Sequence, residues 1–223
     1  MFRAAVFDMD GLLLDSEPLW QKAERKAFGA AGLDLSESDV CQTIGLRVDE
    51  VVRYWLERRP WDTGLHDPAA VEAAIVDEVI ALLGSDAVPL PGVPTTIELL
   101  RAEGLALAVA SSSPLRIIKA ALEALDFETV FDVVHSAESE ARGKPDPAVY
   151  VTTLGRLEVS ASDAFALEDS VAGLQSAQGA GMRCVVVPEA LQRERPEMRQ
   201  ADLVLDSMAD FSIGHLRQLA ANG

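Results

Sequence analysis

The sequence predicts an α/β fold: a doubly wound, parallel-sheet, Rossmann-like core with a helical cap domain inserted into it. Two observations predict it. Short apolar runs alternate along the 223 residues with segments of helical periodicity, the pattern of parallel strands joined by crossover helices. Almost a hundred residues also separate the first run, ending at Phe7, from the second, starting at Leu105. A βαβ unit needs only roughly thirty.

The first run is Ala4–Phe7, followed by Asp8-Met9-Asp10-Gly11. An unbroken apolar stretch of this length reads as a buried strand. Later strands are expected at Leu105–Ala110, Phe131–Val134, Ala164–Leu167, Arg183–Val187 and Leu203–Leu205. Helical patterns lie between them at Thr95–Glu103, Leu115–Ala124, Pro147–Leu157 and Val171–Ala180. Gly104, Gly155 and Gly181 stand where C-terminal caps would use glycine. The excess before Leu105 carries helical patterns at Pro18–Ala31, Arg47–Arg58 and Pro68–Leu83, with no alternating strand signal. The expected division is a core of residues 1–15 and 89–223 and a cap of residues 16–88, hinged at Gly11–Ser16 and Val88–Val93.

Composition narrows the function. The formal net charge is −17, from 36 acids against 19 lysines and arginines. That disfavours nucleic acid and anionic membranes as partners. A small anionic substrate stays open, provided that local positive charge receives it. No stretch is long and apolar enough to span a membrane. The N-terminus runs straight into the first strand, with no leader pattern, so the cytoplasm is the expected location. Cys184, inside an apolar run, reads as a buried thiol rather than half of a disulfide with Cys41.

Chemistry gathers at the strand ends. Residues two apart in a strand share a side, so Asp8 and Asp10 project together. Two crowded carboxylates repel unless one binds a cation or keeps its proton. Ser111, Ser112 and Ser113 follow the second core strand, and Glu168, Asp169 and Ser170 follow the fourth. Ligands of open α/β sheets bind just beyond these carboxyl ends. Lys144, in Gly143-Lys144-Pro145-Asp146-Pro147, precedes a helix and can reach the same edge. Acids that hold Mg²⁺, a carboxylate nucleophile, a hydroxyl and a lysine together suit phosphoryl transfer. Ser113 reads as a cap for the helix near Pro114, and Asp146 as a cap for the helix that follows it. Asp15 reads as a hinge residue as readily as a site residue. His66, His135 and His215 match no metal-ligand spacing.

The order Asp8-x-Asp10-Gly11, Ser111, Lys144-Pro145, Glu168-Asp169 resembles the four motifs of the haloacid dehalogenase superfamily along the whole chain. The insertion after the first motif is similar to that family's first cap type. The chain looks like the β-phosphoglucomutase-like subgroup. Asp10–Trp20, Gly45–Asp49 and Arg59-Pro60-Trp61 resemble bacterial 2-deoxyglucose-6-phosphate or hexitol phosphatases. The resemblance implies a monomeric, Mg²⁺-dependent phosphatase acting on small sugar or polyol phosphates through an aspartyl phosphate. Asp8 would be nucleophile and metal ligand, and Asp10 the acid/base and, through its carbonyl, a further ligand. Ser111 and the Ser112 amide would hold the phosphoryl group. Lys144 would pair with nucleophile and phosphate. Asp169 would bind the metal directly, and Glu168 directly or through water. In the cap, Trp20 and Arg47 are the expected substrate contacts, with an ion-paired surface arginine as the alternative for Arg47; Trp55 and Trp61 read as packing.

Two other functions compete. A phosphosugar mutase needs cationic cap residues for a second phosphate; this chain has Pro18-Leu19-Trp20 where mutases carry a histidine, and offers only Arg47 in a different register. A phosphosugar-binding regulatory domain would be free to lose its nucleophile or lysine, yet both are kept. A dehalogenase would not need Asp10.

Overall fold

The computed structural model of the chain describes residues 2–188 and 192–221. Six strands form one parallel sheet in the order β3-β2-β1-β4-β5-β6. They are β1 (Ala4–Phe7), β2 (Ala106–Ser111), β3 (Val133–Ser136), β4 (Ala164–Glu168), β5 (Arg183–Val186) and β6 (Leu203–Val204). β1 is central: Val6 stands beside Ala108 on one side and Ala166 on the other. It is buried at all four positions, as a strand covered on both faces must be. The chain winds outward from β1 in both directions, so a topological switch point opens at its carboxyl end.

Alternation along the strands sorts the core into two halves. One face carries Ala5, Phe7, Leu107, Val109, Phe165 and Leu167, and packs against α5 (Val93–Ala102) and α6 (Leu115–Ala124). The other carries Ala4, Val6, Ala108, Ala110, Ala164 and Ala166, and packs against α7 (Ala148–Leu157) and α8 (Val171–Gly179). The run of alanines on that face lets α7 and α8 lie close to the sheet.

Between β1 and β2 the chain is helical: α1 (Glu17–Ala30), the single turn α2 (Glu37–Val40), α3 (Val48–Arg58) and α4 (Pro68–Asp86). Phe28, Trp55, Ile75 and Val79 are buried among these helices, and Trp61 packs edge-on against Phe28 at 5.8 Å. Truncating a buried aromatic such as Phe28 to alanine costs roughly 3–5 kcal/mol. The two ends of this helical segment lie side by side. Leu14 bridges to Pro89, and the Leu90 amide donates to the Leu13 carbonyl at 2.9 Å.

Some local expectations are corrected. Gly155 lies within the last turn of α7, and the left-handed cap residue is Glu158 at φ 55°, because helix contacts persist to Leu157. Gly104 and Gly181 do take positive φ just past their helices. Phe131 precedes β3, its ring turned edge-on to Phe7 at 5.6 Å. Helix α9 (Ile213–Ala221) was not foreseen; its buried Leu216 and Leu219 are too few to make a clear period. Among the described residues no helix is long and apolar enough to cross a membrane.

Candidate active site

The adjacency of β1, β2 and β4 brings three polar strand ends to one crevice. Asp8 leaves β1 nearly buried, and its carboxylate meets Lys144, whose Nζ lies 2.8 Å from Oδ1. That contact is an ion pair rather than a well-aligned hydrogen bond, so Oδ1 is buried without a hydrogen-bond partner. Lys144 spends its hydrogen bonds on the Ala110 carbonyl at 2.9 Å and on Glu168 Oε1 at 2.7 Å. The Lys144–Pro145 peptide is cis.

Burial pushes the Asp8 carboxyl up, to about 7; Lys144 opposes the rise, while Glu168 and Asp10 add to it. Burial lowers the Lys144 ammonium, but the Asp8 and Glu168 carboxylates outweigh it and hold it above the usual lysine range. One cation thus serves two buried acids. Asp8, Glu168 and Asp169 bring one carboxylate oxygen each to within 4.8 Å of one another. A hard divalent cation with oxygen ligands fits this set, since it would relieve the crowding that raises Asp8.

Glu168 is fully buried and held on several sides. Oε1 also accepts from the Tyr150 hydroxyl, and Oε2 from the Asp169 amide at 3.3 Å and Ser170 Oγ at 3.5 Å. Two glycines make room for the acids. A Cβ on Gly173 would stand 1.8 Å from Glu168 Oε2, and one on Gly11 2.2 Å from Asp169 Oδ2. Gly11 also holds φ +71°, which side-chain-bearing residues rarely adopt.

Asp10 faces the other way. Its Oδ1 accepts from Ser16 Oγ at 2.6 Å and from the Trp20 indole N–H at 2.9 Å. Its Oδ2 accepts from Ser113 Oγ at 2.6 Å and Ser111 Oγ at 3.3 Å. Two aspartates separated by one residue therefore have opposite surroundings: one lies against a lysine and acids, the other in a ring of neutral donors. Ser113 is corrected here. It does not cap α6, which begins after Pro114 with no side-chain cap, because its hydroxyl is committed to Asp10. Asp146 does receive the Ala148 amide at the start of α7. Ser112 Oγ is buried without a partner and lines the cavity.

The two cap residues part company. Trp20 lines the cavity and touches Asp10. Arg47 does not line it. Its guanidinium pairs with both Asp49 oxygens, at 2.9 and 2.8 Å, and donates to the Ala137 and Glu140 carbonyls of the core at 3.1 and 3.0 Å. Asp15 is exposed beside the linkers. Sequence reasoning missed Tyr150 and Glu24. Tyr150 gave no signal beyond lying six residues past Lys144. Glu24 did: helical spacing sets it beside Ala23, Ala27 and Phe28 on the buried side of α1.

Three strand ends of a switch-point sheet, a buried acid cluster with one lysine, and a helical insertion over the crevice define a hydrolase of the α/β class. The chain belongs to the haloacid dehalogenase-like hydrolase family, whose model matches residues 5–187. It is 39% identical to hexitol phosphatase B of Escherichia coli (strain K12) over 94% of each chain. It is 30% identical to the phosphorylated carbohydrates phosphatase of Thermotoga maritima, over 80% of this chain and 82% of that one. The crystal structure of CbbY from Rhodobacter sphaeroides in complex with phosphate superposes with a TM-score of 0.88 at 30% identity, covering 94% of this chain and 96% of that one. A mutant of that protein has been crystallised with xylulose-(1,5)bisphosphate.

Proposed function

We propose that this enzyme hydrolyses the phosphoric monoester of a small sugar or polyol, with hexitol and deoxyhexose phosphates the first candidates, through an aspartyl phosphate on Asp8. The observation that carries the reading is the contrast between the two aspartates. Asp8 sits against Lys144 and the acid cluster, where a phosphoryl group can be received. Asp10 sits among hydroxyl and indole donors, clear of the lysine, where a proton can be exchanged with an oxygen in the cavity.

An Asp8 oxygen attacks phosphorus, and the bond from phosphorus to the sugar oxygen breaks. Asp10 gives its proton to that leaving oxygen. Asp10 then takes a proton from water, the water oxygen attacks phosphorus, and the bond to Asp8 breaks to free phosphate. Lys144 and the Ser111 and Ser112 groups receive the phosphoryl oxygens as charge shifts. Mg²⁺, when bound by Asp8, Asp169, the Asp10 carbonyl and Glu168 (directly or through water), supplies the positive charge that the single lysine cannot. Tyr150 and Lys144 hold Glu168 in place.

The names of the relatives at 39% and 30% identity support a carbohydrate phosphate as substrate. The lining of the cavity supports a monophosphate over the bisphosphate cycle of a mutase. Among the described residues Lys144 is the one cationic side chain on it, and the cap side contributes the acids Glu17 and Glu24. A phosphate-release screen with Mg²⁺ over hexose, deoxyhexose, hexitol, pentose and glycolyl phosphates tests this. We expect sugar or polyol monophosphates to lead the panel, and chelation with EDTA to abolish release. A coupled assay showing glucose 1- and 6-phosphate interconversion faster than phosphate release would sink the proposal.

A further inference from the structure

Two acids in the cavity, Glu17 and Glu24, take no part in the reaction above, and of the two Glu24 is the buried one. Glu17, Trp20 and Glu24 all line the cavity, spaced three and four apart and so on one face of α1. Ser16, just before α1, and Trp20, in its first turn, both donate to Asp10. Glu24 therefore stands one turn beyond Trp20, about 6 Å further along the helix axis. It is 7% exposed, and its Oε2 is buried with no hydrogen-bond partner.

An unpartnered polar group inside a fold is costly, and an apolar side chain of the same shape would serve stability better. Its presence on a cavity wall points to a ligand that pairs it. The chemistry of the wall says which kind. Burial pushes the Glu24 carboxyl up to about 8, and Glu17 adds to the rise. Near neutral pH it is then a carboxylic acid, with one O–H to give and an oxygen to receive. An alcohol hydroxyl has the same two capacities. A second phosphate or a carboxylate in that place would meet two acids and no cation.

We propose that Glu24 is a specificity-determining residue that pairs with a hydroxyl at the non-reacting end of the substrate. The proposal rests on the sugar or polyol phosphate reading and deepens it: the favoured substrate carries a neutral, hydroxyl-bearing tail that reaches past Trp20 to Glu24.

The test compares full-length wild type, Glu24→Gln and Glu24→Leu with Mg²⁺. The readout is the ratio of kcat/KM for sorbitol 6-phosphate to that for p-nitrophenyl phosphate, which has no hydroxyl tail. In Glu24→Leu the ratio should fall tenfold or more, mostly through KM. In Glu24→Gln, whose amide also donates and accepts, it should stay within about threefold. Without substrate, Glu24→Leu should melt at the same temperature as wild type or higher. A ratio unchanged in Glu24→Leu, or a lowered melting temperature for that variant, overturns the proposal. A wild type inactive on every sugar and polyol phosphate yet active on p-nitrophenyl phosphate overturns the sugar or polyol phosphate reading, and this proposal with it.

Discussion

The sheet edge and the helical wall face each other across one cavity, and they treat charge in opposite ways. At the sheet edge, buried acids crowd together and share a lysine that also serves the backbone. Each group there constrains its neighbour: Lys144 joins Asp8, Glu168 and the Ala110 carbonyl. On the helical wall, apolar residues such as Val40 and Val51 surround a single buried acid with a free oxygen. The difference teaches where each property of the enzyme resides. On the proposed reading, the chemistry rests on this shared network. On the same reading, selectivity rests on side chains such as Glu24, whose Oε2 the fold leaves without a partner.

The largest effect should come from Asp8→Asn. If the sheet edge carries the chemistry, phosphate release should drop by at least about a thousandfold, as when a nucleophile is lost elsewhere, while the circular dichroism spectrum stays unchanged. Retained turnover would dissolve the contrast at its source. Lys144→Met comes next, because it strands two buried carboxylates. Removing one partner of a buried ion pair costs about 3–5 kcal/mol, which a urea titration should register. A loss below about 1 kcal/mol would mean that the network is looser than its distances imply.

Glu24→Gln sharpens the other side through pH. A carboxyl whose folded pKa is raised above its unfolded value holds extra protons in the native state, so stability falls as pH rises between the two. For Glu24 that window runs from about 4.5 to about 8. Wild type and variant should therefore match near pH 4 and diverge by a few kcal/mol in the variant's favour by pH 8.5, about 1.4 for each pH unit. Parallel stability curves would show that Glu24 finds a partner in the free enzyme. The smallest effect is expected of Arg47→Ala. It removes two charged hydrogen bonds between the insertion and the core, each worth roughly 1.5–3 kcal/mol before screening. We expect KM to rise roughly tenfold for both sorbitol 6-phosphate and p-nitrophenyl phosphate, with their ratio held. A shifted ratio would make Arg47 a substrate contact after all.

The sheet was legible because parallel strands covered on both faces must be unbroken apolar runs, and Ala4–Phe7 or Ala164–Leu167 can hardly be read otherwise. The site was legible as a set because strand ends in such a sheet converge, so Asp8, Ser111 and Glu168 could be placed together without coordinates. What escaped is what depends on direction. Ser113 looked like a cap until its hydroxyl was seen to turn to Asp10. Arg47 read equally as a substrate contact or an ion-paired arginine; Asp49, two residues away, takes one edge of its fork and core carbonyls take the other nitrogen. Tyr150 meets Glu168 only because α7 folds back over the alanine face. Nothing within a few residues of Tyr150 encodes that meeting.

Gly11 and Gly173 have a consequence for heritable change. Neither carries a functional group, yet a Cβ on either would occupy the space of a carboxylate. A saturation scan scored for phosphate release should therefore show both columns as empty as that of Asp8. Cavity positions outside the packed core, such as Ile44 and Leu46, should tolerate many residues and retune the preferred substrate. Drift in this enzyme is thus confined to one shore of its cavity, and two of the strictest positions on the other are defined by an atom they lack.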